Sequence, residues 1–483
     1  MKRSCLKAFA ICLTIALLLI PAMVMAAAPS KSDKAAKMPD RGAATSTAAP
    51  KASEPKPAET KAPETKPAES KEPEKKPADT KPTAPKPAEN KTGASAKKPE
   101  PILRVGLAEG QTSAVFTANN DFVVREGSGG NGKGLAKYTH KDKITITVKN
   151  KQLLLNGKAV SAKKIVLKAP NEYENLIFSY NDSKYRGTFE IALNGGSFTV
   201  INLVKLDDYV GGVINEEMGE GWPAEALKAQ AVAARTFALY TVEEEKHAED
   251  GYDICATTHC QVYGGVSSES RDALAAVSAT RGEVMTYNGA PIYAAFHASS
   301  GGRTAASGET GTDLPYLKSR PDPEDSENPN QEWKISVPVK KLVDELRAAG
   351  YNVGKLKRIE ISPLDMKGGK LGKDRFSSYR VKSVKFVGTL KTVDVPGTKL
   401  RWEFDLHSTL FDICYGSGKS MKPNKTGKID ITNRAGETVT FAGAGWGHGL
   451  GLSQWGARGM AEKYKYRDIL ARYYTDVKLE KLF

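Results

Sequence analysis

Cysteine is scarce: five residues in a chain of 483. They are too few and too scattered to staple a small scaffold. Aromatic residues make up only 8%, low for a chain that packs along its whole length. No apolar run after residue 28 is long enough to span a bilayer, which excludes a polytopic transporter or channel. No glycine-rich loop carries the lysine of a phosphate-binding site, and no G-x-S-x-G elbow presents a serine nucleophile. Acidic charge is in deficit, with Lys+Arg 71 against Asp+Glu 56 and a net charge of +15. That balance suits an anionic polymer as a partner.

The first hundred residues read as an address followed by a tether. Lys2, Arg3 and Lys7 precede an apolar run from Ala8 to Ile20, and Val24-Met25-Ala26 offers small residues for cleavage. This is the layout of a secretory signal over residues 1–26. The stretch Ala8 to Ala28, with only Thr14 clearly polar, fits an uncleaved membrane anchor equally well. Either way the rest of the chain is expected to be exported. Residues 27–100 are rich in Lys, Pro, Ala and Glu and nearly free of large apolar side chains, so they cannot offset the entropy of ordering. A ten-residue period recurs at Lys56-Pro57-Ala58-Glu59, Lys66-Pro67-Ala68-Glu69, Lys76-Pro77-Ala78-Asp79 and Lys86-Pro87-Ala88-Glu89. Extended at about 3.1 Å per residue, this linker reaches on the order of 200 Å.

A folded region is expected from Ile102. Ile102–Leu107, Ile144–Val148, Leu153–Leu155, Ile165–Leu167, Ile177–Phe178, Phe189–Ile191 and Phe198–Val204 read as short strands separated by Gly and Asn turns. They define a β-rich module over 101–200. The strongest helical signal follows Trp222-Pro223: an alanine-rich run to Tyr240, with proline suited to the first helical position and Glu225 in the first turn. It predicts a buried helix over 223–245. Further helices are expected at 267–280 and 454–474, and strands at 283–298 and through much of 335–443. The fold class is α+β: the N-terminal β-rich module, a core over 201–483 around the long helix, a β-rich insertion near 320–440 and a C-terminal helix.

Four groups of residues can carry chemistry. Glu216-Glu217-Met218 is expected in a loop ahead of the alanine-rich helix, where Met218 and Trp222 would desolvate a carboxyl and make it a general acid. Solvated loop glutamates are the plain alternative. His247, Cys255, His259 and Cys260 lie close together in sequence; thiolates and imidazoles suit zinc, and a Cys255–Cys260 disulfide is the alternative in an exported protein. Cys414, in an apolar strand, is expected as a buried thiol. His297, Ser299, Ser300 and Gly301 occupy a small-residue turn fit to line a sugar or peptide cleft. Finally, Gly445-Trp446-Gly447-His448-Gly449 through Gln454-Trp455 offers aromatic faces for sugar rings and polar groups for their hydroxyls.

Together these motifs resemble the stage II sporulation protein D family (SpoIID/LytB). The resemblance rests on Asp208 to Met218, the helix Trp222 to Tyr240, Cys260 to Gly265, Phe296 to Thr304 and Gly445 to Ala457, in the family's order, over roughly 200–475. It implies a peptidoglycan lytic transglycosylase acting on glycan strands stripped of stem peptides. Glu217 is the implied single acid/base. One carboxylate suffices because the muramic acid 6-hydroxyl attacks its own C1, leaving a 1,6-anhydro end, whereas most glycosidases need two. The implied substrate-binding residues are Trp222, Gln230 and Arg235 on one side, and His297, Ser300, Gly301, Trp446, His448 and Gln454 on the other. Zinc is implied on His247, Cys255 and Cys260, although the spacing of these three departs from the family pattern. The family also contains a branch that stimulates a partner amidase without being an enzyme, and that is the alternative reading. No nucleic-acid partner is expected.

Overall fold

The computed structural model describes residues 99–171, 175–328, 331–367 and 371–483. The expected signal or anchor and nearly all of the linker lie outside these residues. The architecture is α+β, with several sheets and seven α-helices among the described residues: α1 (Leu206–Met218), α2 (Ala224–Glu243), α3 (Arg271–Ala279), α4 (Val339–Ala348), α5 (Gly397–Glu403), α6 (Gln454–Met460) and α7 (Tyr466–Tyr473).

The first hundred described residues form two antiparallel-rich sheets. In the seven-stranded sheet, Ile102–Gln111 pairs with Ser197–Lys205 on one side and, in parallel, with Ile254–Cys255 on the other. A six-stranded sheet holds Ser113–Ala118 between Ile177–Tyr180 and Ile144–Lys149. Phe116, Phe122, Phe178 and Phe189 meet between them, with ring centroids 5.1–5.5 Å apart. Alternating burial along these strands (Phe122 and Val124 inside, Val123 partly out) is the period-two pattern of a sheet with one buried face.

Strand Ser197–Lys205 runs straight into α1, where sequence reading expects only a loop. Two acidic residues, Asp207 and Asp208, occupy its first turn and complement the helix dipole. One of the two glycines that weaken its helical signal has a packing reason: a Cβ on Gly212 would meet Tyr263 Cε2 at 2.7 Å and Gly265 O at 2.9 Å. α2 follows, and its alanines are buried almost all round. The slim surface lets α1, α3, α6 and α7 approach it. The C-terminal helix expected over 454–474 is two helices. Lys465 adopts an extended N-cap conformation and Asp468 accepts its N–H at 3.2 Å, so α7 begins with its own cap.

A second hydrophobic core, from Trp333 to Phe441, is separate from the first. It is enclosed by α4, α5 and two four-stranded sheets. Its first strand, Glu332–Pro338, pairs antiparallel with its last, Thr438–Ala444, so the chain enters and leaves this module side by side. Cys414 lies on strand Phe411–Gly416 but is only half-buried, on the face opposite Phe411 and Ile413, and its thiol is free.

Candidate functional site

Glu217 sits in the last turn of α1 rather than in a loop. α1 ends at Gly219, whose φ of +77°, like that of Gly221, is a left-handed conformation that reverses the chain toward α2. Glu217 is half-buried, and its Oε1 accepts the Val262 N–H at 3.2 Å. Burial raises its pKa from the ordinary glutamate value; the Val262 hydrogen bond opposes this and the neighbouring Glu216 charge adds to it. Glu216 is exposed and accepts a hydrogen bond from Ser268 Oγ. The adjacent glutamates are therefore differentiated: one is solvated, the other is partly withdrawn from water and suited to holding a proton.

The segment that supplies Val262 also carries the His/Cys cluster. His247, Cys255, His259 and Cys260 bring one ligand atom each to within 4.8 Å of all the others. His247 Nε2 lies 3.2 Å from Cys260 Sγ, and His259 Nδ1 lies 3.6 Å from Cys255 Sγ and 3.7 Å from Cys260 Sγ. Zinc bonds of about 2.0–2.3 Å set in a tetrahedron require ligand-to-ligand edges of roughly 3.3–3.8 Å, which these three separations approach. His247 Nδ1 meets Asp250 Oδ2 at 2.8 Å, an outer carboxylate that orients the ring. Both cysteines are free thiols, so the disulfide alternative is not adopted. A group capable of coordinating a metal is present, and it includes His259, which the expected three-residue set omits.

A third region joins the small-residue turn to the glycine-rich loop. Strand Phe296–His297 pairs in parallel with Leu452–Ser453. Ser299 and Trp446 exchange backbone hydrogen bonds of 3.0 and 2.9 Å. The backbones approach so closely that a Cβ on Gly445 would lie 2.7 Å from Gly301 N. His297 Nδ1 donates to Leu450 O at 3.0 Å, which leaves its buried Nε2 as an acceptor with no partner. His448 Nδ1 accepts the Leu450 N–H at 3.0 Å, and the two imidazole rings are 5.6 Å apart. Burial lowers both pKa values, that of His448 to about 4, so both rings are neutral near pH 7. Trp446 is 43% exposed and stacks on His407 at 4.2 Å.

This region stands on buried polar supports that sequence reading misses. Asp325 accepts from Ser299 Oγ at 2.6 Å, Gly301 N at 2.8 Å and Ser453 Oγ at 2.8 Å. Asp322 accepts from Tyr473 OH at 2.8 Å; burial and the Asp325 charge push its pKa up to about 6. Arg380, from the second core's module, is fully buried and donates to Ser300 O at 2.9 Å. The acidic turn Asp322-Pro323-Glu324-Asp325 was a visible signal; nothing local marks Arg380 or His407.

The other expected site residues divide. Ser300 and Gln454 are buried in this same region, and Gly301 is held there by Asp325. Gln230, on α2, is fully buried with neither side-chain polar atom partnered. Arg235 corrects its expectation as a substrate contact. It has no exposed surface, its Nε donates to Asp207 Oδ1 at 2.7 Å, and its Nη1 donates to Glu283 O at 3.0 Å, so its charge is committed to tying α2 to the start of α1. Trp222 packs on Trp455 at 5.2 Å, and Trp455 N–H donates to Ala298 O at 3.0 Å. That contact links the Glu217 turn to the third region. A groove of about 920 Å³ lies elsewhere, on the second core's module; it is lined by Val343, Leu356 and Leu390 among others and contains none of these residues.

The family model described as stage II sporulation protein matches residues 194–287. An uncharacterized protein of Brachyspira hyodysenteriae is 31% identical over 303 residues, covering 62% of this chain and 73% of that protein. The stage II sporulation protein D of Bacillus subtilis is 30% identical over 294 residues, covering 56% of this chain and 73% of that protein. The chain belongs to the SpoIID/LytB family. The amidase enhancer of Bacillus subtilis is 31% identical over 307 residues, covering 56% of this chain but only 40% of that longer protein. SpoIID/LytB membership associates the chain with peptidoglycan remodelling. Within the SpoIID match, residues 194–287 hold Glu217, α2 and the complete His/Cys group.

Proposed function

We propose that this protein is a peptidoglycan lytic transglycosylase with Glu217 as its single acid/base. The observation that carries the reading is the half-buried Glu217 carboxyl, its pKa raised by desolvation, at the end of α1 beside the Trp222 turn. Protonated Glu217 gives its proton to the glycosidic oxygen as the C1–O bond breaks. The resulting carboxylate then takes the proton of the muramic acid 6-hydroxyl while that oxygen bonds to C1. The products are a free glycan end and a 1,6-anhydro end, and no water is consumed. Trp446 and the neutral His297 and His448 suit sugar stacking and hydroxyl contacts.

Zinc held by His247, Cys255, His259 and Cys260 would act structurally, fixing the segment whose Val262 N–H bonds Glu217. An exported chain on a long Lys/Pro-rich linker, secreted or anchored at the membrane, would reach glycan in the wall. A second reading, a non-enzymatic enhancer of an amidase, is favoured by the likeness to the Bacillus subtilis amidase enhancer. The test is to incubate the full chain and Glu217→Gln with peptide-free glycan strands and identify products by mass spectrometry. Anhydro-ended fragments from the wild type alone are expected. No product from either, with faster stem-peptide release once an amidase is added, would replace the enzyme reading with the enhancer.

A further inference from the structure

One cation near the candidate site has no ion-pair or side-chain hydrogen-bond partner among the described residues. Arg458, on α6, is half-buried, and among the described residues its guanidinium makes no ion pair and no side-chain hydrogen bond. It is held instead by two indoles: its Cζ lies 4.8 Å from the centre of the Trp455 ring and 5.6 Å from that of Trp222. Both tryptophans are only partly buried. A guanidinium stacked on aromatic faces keeps its in-plane N–H donors free, and stacking limits the entropy lost when those donors engage an anion.

Trp222 stands five residues after Glu217, so it lies at most about 18 Å away along the chain. The distance is within the span of a short saccharide bound across Glu217. Aromatic faces suit the apolar faces of pyranose rings. The anionic group that a muramyl sugar adds is the carboxylate of its lactyl ether. In a strand that carries stem peptides this carboxyl is an amide and uncharged; removing the peptide frees it.

We propose that Arg458, presented by Trp222 and Trp455, recognises the free lactyl carboxylate of peptide-free muramic acid and so determines which strands are accepted. This rests on the peptidoglycan reading above, but it concerns binding and does not require that Glu217 cleave. Planar bidentate pairing of guanidinium with carboxylate supplies the specificity that a single ammonium lacks.

The experiment measures affinity of the full chain for peptide-free glycan strands and for the same strands with every lactyl carboxylate converted to a methylamide. The wild type is expected to bind the free acid about tenfold more tightly, the low end of a charge-assisted hydrogen bond, with a preference that shrinks as salt rises. Arg458→Gln should bring the ratio near one, and Arg458→Lys should restore part of it. The ratio is the readout because a misfolded variant loses both affinities together. Equal binding of the two strands by the wild type, or an undiminished preference in Arg458→Gln, overturns the proposal. Absence of anhydro products alongside an intact, Arg458-dependent preference would sink the transglycosylase reading alone.

Discussion

The two adjacent glycines of α1 should respond in opposite ways to the same substitution. Alanine in place of glycine in a helix contributes about 1 kcal/mol through propensity. At Gly211 the added Cβ meets the tip of Leu274 at 3.0 Å and the Glu269 side chain at an ordinary 3.9–4.0 Å, and Leu274 is 37% exposed and free to move. Gly211→Ala should therefore keep most of that gain and leave cleavage intact. At Gly212 the Cβ meets the Tyr263 ring and the backbone of Gly265, at 2.7 to 3.0 Å. Gly264 N is bonded to Gly212 O at 3.1 Å, and Tyr263 is buried between Tyr209 and Tyr185. Relief by a side-chain rotation is closed off, so segment 262–265 must shift. Overpacking of this kind costs about 1–3 kcal/mol, which outweighs the propensity gain. The same segment supplies the Val262 N–H to Glu217, so Gly212→Ala should also lose strand cleavage by roughly tenfold or more, as misplacement at a reacting group does. Thermal unfolding and release of anhydro-ended fragments read both effects. Equal stability and activity of the two variants would refute the role of Gly212 in positioning segment 262–265 beside Glu217.

Further outcomes are expected. Glu217→Gln should melt higher than the wild type at pH 7: burial raises the folded pKa of Glu217 above its unfolded value, so the stability it contributes is present at low pH and is lost as pH rises through the folded pKa. The gap between the two proteins should close as pH falls toward about 4.3, which melting curves across pH would show. Chelation, or Cys255→Ser, should lower the melting temperature by on the order of 5–10 °C and reduce cleavage, with bound zinc assayed by elemental analysis. Asp325→Ala strands the donors of Ser299, Gly301 and Ser453 in a buried site. A loss of about 3–5 kcal/mol in denaturant unfolding is expected.

What could be read from the sequence was whatever announces itself locally. The alanine run after Trp222-Pro223 specifies α2 because propensity, first-turn charge and proline position agree. The strands of the first module alternate cleanly enough to be seen. α1 escaped because Gly211 and Gly212 argue against a helix, and the packing that requires Gly212, against Tyr263 and Gly265, lies some fifty residues on. Helix α7 was fused with α6 because its cap is lysine and aspartate rather than the usual serine or threonine. At the site, the His/Cys group was legible from residue type and spacing, whereas Glu217 was singled out by the family resemblance and not by its local sequence. The supports of the site were not legible: Arg380 reaches Ser300 across eighty residues, and Trp446 lies on His407 from a different loop. Long-range partners of this kind leave no periodic trace.

The adjacent entry and exit of the second core have an evolutionary consequence. Glu332 faces Ala444 in register, so the hundred or so residues between them are drawn together at one seam. Such a cassette can lengthen, shorten or be exchanged while its base stays the same width. The constraint falls on the seam and on the few groups that project from the cassette toward the core. Trp333 Nε1 donates to Gly445 O, one residue before Trp446, and Arg380 holds the Ser300 turn. Relatives should therefore diverge fastest in residues 339–437 away from Arg380 and His407. A lineage that discards the cassette must find another way to hold the glycine-rich loop.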